Sequence, residues 1–357
     1  MGLSRHNISG LILALLLAVL ATACGRSAGE QLVFVTGVNG DPEIAVVDVT
    51  SGDIVVITDN QSRDLFPRWS PDGSRIVYVA DESGDLEINL VDPKDEAITR
   101  LTHNAGGDLF PRWSPDGRRL AFVSEREGEP GLYLMEIEGG KTTRIDSKTA
   151  GAAGLTGVAG SAGVVLGDWS PNGEWIVFHT EGGGVGGVNL EERGLWLRNP
   201  LGVDLHHLTN GQDREPVWSP DGSRVAFVRW EDGNADIYVL RKSKDGDWQD
   251  APEITRLTQH EAADRSPNWS PDARSLVFVS FQNGSGEIYS MMADGSKQRR
   301  LTNNGADDLT PDWSPDGRRI AFVSQVYGQS EIFVMNADGS QQRRLTNNDA
   351  EDLSPNW

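Results

Sequence analysis

Short runs rich in Val, Ile, Phe and Tyr recur along the chain, bounded by Gly, Asp and Asn, which is the pattern of strands joined by tight turns. The stretch from Pro311 shows the unit. Strand A is Pro311 to Ser314, and Pro315-Asp316-Gly317 turns the chain. Strand B is Arg319 to Ser324, and a looser loop through Gly328 leads to strand C, Glu331 to Asn336. Ala337 to Ser340 then turns into strand D, Arg343 to Asn347. Strand B is apolar at consecutive positions (Ile76-Val77-Tyr78-Val79, Leu120-Ala121-Phe122-Val123), so both faces of its sheet are expected to be covered.

The unit repeats. Trp69, Trp113, Trp169, Trp218, Trp269 and Trp313 each open a W-S-P-[DN]-[GA] motif, and Trp357 follows Ser354-Pro355-Asn356. Spacings of 44, 56, 49, 51, 44 and 44 residues mark a stacked or circular repeat. The first strand B, Gln31 to Thr36, has no tryptophan motif before it, and the last strand A, Ser354 to Trp357, has no strand B after it. Together these two complete one blade. The expectation is all-β: a seven-bladed β-propeller of four-stranded antiparallel blades. C-terminal strand A pairs with N-terminal strand B, which removes the open sheet edges. Each motif Trp is expected to wedge between blades. At about 150–250 Å² of buried surface and ~25 cal/mol/Å², each contributes roughly 4–6 kcal/mol of gross apolar burial.

Composition narrows the partners. The 357 residues carry 32 Lys plus Arg against 53 Asp plus Glu, a net charge of −21. Such a surface repels phosphates, which argues against nucleic acid. Residues 1–23 read as a targeting segment. Arg5 and His6 precede an apolar run, Ile8 to Ala23, that is short for a membrane span. The sole cysteine, Cys24, follows at once. Leu20-Ala21-Thr22-Ala23-Cys24 resembles a bacterial lipoprotein signal, which would make Cys24 the lipidated N-terminus. Ala21-Thr22-Ala23 also fits ordinary secretory cleavage, and either cut falls before Cys24. Residues 24–30 then form a tether spanning at most about 23–25 Å. The propeller occupies 31–357, exported and held to the envelope (outer membrane and periplasm, or cell surface) by lipid alone.

W-S-P-D-G followed by I-x-F-V and I-Y-V-M-x-x-D-G resembles the propeller repeats of the TolB family, over residues 31–357. The same repeats occur in the propellers of prolyl oligopeptidases and dipeptidyl peptidases. The resemblance implies an envelope protein that binds partners, here in a lipoprotein form without the N-terminal α/β domain of TolB. It also implies that strand A is innermost. Fold is specified far more tightly than activity, because the matching residues are those of core and turns.

Topology separates the two faces of the ring. The A–B and C–D turns share one face. The D-to-A connections and B–C loops share the other. Two irregular stretches, Thr149 to Gly167 and Glu181 to Glu192, fall on the second face around Trp169, where loops on a constant scaffold favour binding. Five residues before the motif Trp stands an aspartate in six units: Asp64, Asp108, Asp213, Asp264, Asp308 and Asp352, with Val164 in the seventh. Two roles stay open for them. Each caps its own loop, or together they form an acidic rim for a basic peptide, an amine or a cation. Immediately before each Trp, and so on the opposite side of the strand, stand Arg68, Arg112, Asp168, Val217, Asn268, Asp312 and Asn356, as candidate channel-facing residues.

No catalytic constellation is present: there is no G-x-S-x-G elbow and no second cysteine. His103, His179, His206, His207 and His260 lack H-x-x-x-H spacing. The expected function is a monomeric, non-catalytic scaffold that binds an envelope protein or peptide at its channel mouth, with no metal and no cofactor. The alternative is a polysaccharide-active enzyme resembling oligogalacturonate lyase, which would need His103, His206 or His207, and His260 to converge on a metal. Glycan binding, or calcium on the acidic rim, are further options.

Overall fold

A computed structural model describes residues 30–37, 41–81, 84–128, 130–145, 164–180, 193–242, 247–248 and 252–357. The signal segment, Cys24, most of the tether and the irregular stretches at 149–163 and 181–192 lie outside the described residues.

Among the described residues, the strands form seven four-stranded antiparallel sheets. Blade I is assembled from both ends of the chain. Its strand A is Asp352–Asn356, B is Gln31–Thr36, C is Glu43–Asp48 and D is Ile54–Val56. The closing pair is antiparallel, with Thr36 opposite Asp352 and Val33 opposite Asn356. Blades II to VII begin at strands A Asp64–Trp69, Asp108–Trp113, Val164–Trp169, Gln212–Trp218, Asp264–Trp269 and Asp308–Trp313. Successive strands A touch one another all the way round, including blade VII to blade I to blade II. They are therefore the innermost strands and enclose a central channel.

The core lies between blades, not within them. Seven apolar clusters each draw on two neighbouring blades, and together they close the ring. Alternation along strand B produces this. In blade II, Ile76 and Tyr78 pack toward blade I with Val33 and Ile44, while Val77 packs toward blade III with Phe122. A strand feeding two cores has no polar face, which explains its unbroken apolar run.

A motif Trp joins each of the seven clusters. Trp113, Trp169, Trp218 and Trp269 are buried, and the other three are half-buried. Four also hydrogen-bond back across the interface. The indole Nε1 of Trp113, Trp169, Trp269 and Trp357 donates to the backbone carbonyl of Arg68, Arg112, Val217 and Asp312, at 3.4, 3.2, 3.2 and 3.1 Å. The same four indoles lie under a guanidinium, from Arg75, Arg119, Arg224 and Arg319 of the preceding blade.

The turn after each Trp is held by its own side chains. Ser70 Oγ donates to Asp72 at 2.6 Å, and the pattern recurs at Ser114, Ser219, Ser270 and Ser314. The fifth motif residue has positive φ: Gly73, Gly117, Gly173, Gly222 and Gly317, but Ala273 at 57° in blade VI.

Two element boundaries differ from the sequence expectation. Strand A begins three residues earlier, at Asp308 rather than Pro311, because a β-bulge lets the chain pair on both sides of an irregular step. The step falls at Phe66, Phe110, Glu215, Ser266, Thr310 and Ser354, each with φ near +50° and each followed by proline. Strand D is shorter, Arg343–Arg344 in blade VII. Leu345 and Thr346 both turn their N–H groups onto the Ile332 carbonyl, which ends the ladder.

Candidate functional site: the channel and its mouth

The six aspartates at the start of strand A are buried, none more than 2% exposed. They do not stand out as a rim. Asp64, Asp308 and Asp352 accept from Asn60, Asn304 and Asn348, each four residues upstream. Asp213 receives a bidentate guanidinium from Arg229 at 2.7 and 2.8 Å, and Asp108 receives Arg126 at 3.3 Å. Asp264 lies beside Ser280 and Thr258, and Thr258 Oγ donates to Asp236 at 3.2 Å. Burial pushes Asp64 up to about 7 and raises Asp264, Asp308 and Asp352. Neighbouring carboxylates on strand C of the preceding blade add to the rise: Glu43, Asp236, Glu287 and Glu331 respectively.

Those strand C carboxylates belong to a lock that the sequence reading missed. In six of the seven repeats a buried Thr follows Leu or Ile just after strand D and sits under the mouth; blade III has Asp146 at that place in the sequence, outside the described residues. Thr58, Thr302 and Thr346 donate Oγ–H to Glu43, Glu287 and Glu331, and the same oxygens accept the N–H of Ile44, Ile288 and Ile332. Arg300 and Arg344 close over Glu287 and Glu331. Arg-Leu-Thr recurs at Arg100, Arg256, Arg300 and Arg344, and that recurrence was the available signal.

The residues before each Trp are brought together at the waist of the channel. Going round from blade I they are Asn356, Arg68, Arg112, Asp168, Val217, Asn268 and Asp312, all half-buried. Asp312 is fully engaged: Asn268 Nδ2 reaches Oδ1 at 3.0 Å, and Asn356 Nδ2 and the Trp357 N–H reach Oδ2 at 3.3 and 3.2 Å. Asp168 accepts the Trp169 N–H at 2.8 Å. Among the described residues the arginines bond to carbonyls, Arg68 to Pro67, and Arg112 to Pro111 and to Gly167 of blade IV. Arg68 feels Asp312 and Asp168, on blades that do not adjoin its own, as expected of side chains that meet across a channel.

Burial dominates the electrostatics here. It lowers Arg68, and it pushes Arg112 down to about 9 with help from the like charge of Arg68, opposed by Asp168. It raises Asp168 and Asp312 against the pull of the arginines. Toward the mouth, the bulge residues Phe66 and Phe110 of blades II and III approach with ring centroids 5.5 Å apart. Across the channel their counterparts are Glu215, Ser266 and Thr310. One side of the channel is thus aromatic and cationic, the other polar and acidic.

The histidines do not gather. His206 and His207 lie on the outermost strand of blade IV, against Trp175 and Trp196. His179 is buried on strand B, pushed down to about 4 by burial and by Arg214. His103 and His260 are exposed on different blades. Among the described residues no group of three His, Cys, Asp or Glu side chains is placed to hold a metal.

Fold and channel define a closed seven-bladed propeller whose repeats serve the scaffold and whose irregular residues line the bore. The model of the TolB β-propeller domain family matches residues 21–193 and 205–325, and the chain belongs to that family. The Tol-Pal system protein TolB of Bordetella pertussis is 26% identical over a match covering 24% of this chain and 29% of the relative, so the match spans under a third of that protein's length. TolB from Acinetobacter baumannii superposes with a TM-score of 0.55 at 19% identity, over 88% of this chain and 74% of that one. An oligogalacturonate lyase in complex with manganese reaches a TM-score of 0.66 at 17% identity, over 86% of each chain. These likenesses between structures concern the fold.

Proposed function

We propose that this chain is a non-catalytic, exported scaffold of the cell envelope, anchored by lipid on Cys24, that binds a protein or peptide at the channel mouth. The observation that carries this reading is the contrast between the two faces. The A–B turns are near-copies, tight and self-bonded. The opposite face carries the exposed apolar side chains Tyr327 and Leu353 and the way into the asymmetric channel. Family membership supports an envelope setting, and the Tol-Pal relative belongs by name to an envelope assembly. The six buried aspartates act as braces beneath the mouth, and contact with a partner falls to the channel ring and the loops above. The lyase alternative gains no histidine cluster from the fold.

The anchor sets the orientation. Strand B of blade I begins at Gln31, beside the end of strand A and so on the tight-turn face. The tether leaves from there, which points the mouth away from the membrane. Photo-crosslinkers at Tyr327 on the mouth side and at Arg318 on the turn side test the reading in intact cells. A specific adduct is expected from Tyr327 alone. Adducts from Arg318 with none from Tyr327 would refute it, and a Cys24→Ser protein that stayed with the membrane would refute the anchor.

A further inference from the structure

The two channel arginines are unusually under-used. A guanidinium carries five N–H donors. Among the described residues, Arg68 makes one hydrogen bond and Arg112 two, all to backbone carbonyls, and neither forms an ion pair with a carboxylate. Their spare N–H groups keep contact with solvent and so open onto the channel. Of the two carboxylates nearby, Asp312 holds three N–H donors and Asp168 takes the Trp169 N–H on one oxygen. Two like charges held on adjacent blades with their donors free form a site for an anion, which would relieve the repulsion and fill the fork geometry. The neighbouring acids disfavour a doubly charged guest, so a planar monoanion fits better than phosphate. Phe66 and Phe110 stand toward the mouth on the same two strands, offering an apolar surface beside the charge.

We propose that the channel waist is a carboxylate receptor, in which Arg68 and Arg112 grip the carboxylate of an apolar acid whose hydrophobic group rests on Phe66 and Phe110. A peptide C-terminus is one source of such a group and a free aromatic acid is another. Only the peptide source rests on the function proposed above.

Calorimetric titration of the full chain in detergent distinguishes them, with four probes: the peptide acetyl-Ala-Ala-Phe as free acid, the same peptide amidated, phenylacetate and inorganic phosphate. The free acid is expected to bind roughly 30-fold more tightly than the amide, the worth of about one charge-assisted hydrogen bond. The Arg68→Met/Arg112→Met variant should lose at least that factor, and Arg68→Lys, which keeps charge without the fork, should fall between. Equal binding of acid and amide, unchanged affinity in the double variant, tighter binding of phosphate than of phenylacetate, or no binding by any probe would each overturn the receptor. If the double variant melts early, Arg68→Lys decides. Phenylacetate bound with the peptide refused would keep the receptor and remove the peptide reading. Acid and amide bound alike would do the reverse.

Discussion

The seven inter-blade cores and the seven channel positions are one residue apart in sequence and opposite in character. At the core positions every blade presents the same tryptophan, wedged into a cluster shared with its neighbour. At the channel positions the ring reads Asn, Arg, Arg, Asp, Val, Asn, Asp. Alternation along one strand sends the first set into protein and the second into the bore. A position that must fit the same interface seven times is held constant. A position that faces a shared space can differ in each blade, and there asymmetry is able to recognise something.

The largest effect that would break this comparison is loss of a wedge. Trp269→Ala removes a buried indole, its bond to the Val217 carbonyl and the contact with Arg224, and should cost about 3–5 kcal/mol in denaturant unfolding. A loss below about 1 kcal/mol would mean that the cores are not held by their tryptophans.

The buried aspartates should divide by partner. Asp213→Asn leaves Arg229 without its bidentate acceptor and should cost about 1–3 kcal/mol, allowing for the partial exposure of that arginine. Asp308→Asn exchanges one neutral-partnered acceptor for another and should cost less than about 1 kcal/mol. Equal losses in chemical melts would contradict the assignment of braces.

The pH response should differ in sign at the two ends of one strand. Asp64, under the mouth, is raised by burial from 3.8 to about 7, so its contribution to stability is complete below pH 3.8 and is lost as pH rises toward 7. Asp72, in the turn, is lowered to about 2 by its bonds to Ser70 and Ser74, so its contribution is present above pH 3.8 and fades as pH falls toward 2. Melts of Asp64→Asn and Asp72→Asn from pH 2 to pH 8 should diverge from wild type in those two windows. Parallel curves would remove the distinction.

The smallest effect sits in the one turn that breaks the glycine pattern. Ala273 holds φ 57° where the other turns have glycine, and Ala273→Gly should gain about 1 kcal/mol in thermal melts. A loss would show that the methyl group is needed for packing.

Most of the scaffold was legible because it repeats. Strands B and C match their expected limits in the blade from Pro311, and the unmatched strands at Gln31 and Ser354 disclose the closure in the sequence itself. The bulge was not legible. Phe66 and Phe110 precede proline, which ordinarily favours extended backbone, yet both adopt positive φ because the ladder on either side fixes them. The six aspartates were legible as a set but not as buried, since their cover comes from the preceding blade, where the threonine six residues upstream is tied to a strand C carboxylate 21 residues upstream of Asp64 and Asp308. The channel ring followed from alternation alone. The free donors of its arginines did not, because they depend on which partners the acids already hold.

Arg68→Met tests the central claim most directly, measured once for stability and once for binding. Among the described residues the Arg68 side chain bonds only to its own neighbour's carbonyl and packs in no inter-blade cluster, so the melting free energy should stay within about 1 kcal/mol of wild type, as when a buried charge gives way to an apolar side chain of similar size. Affinity for the free-acid peptide should fall at least tenfold. A protein that melted early yet bound the peptide unchanged would place Arg68 in the scaffold and contradict the division between constant core and variable channel.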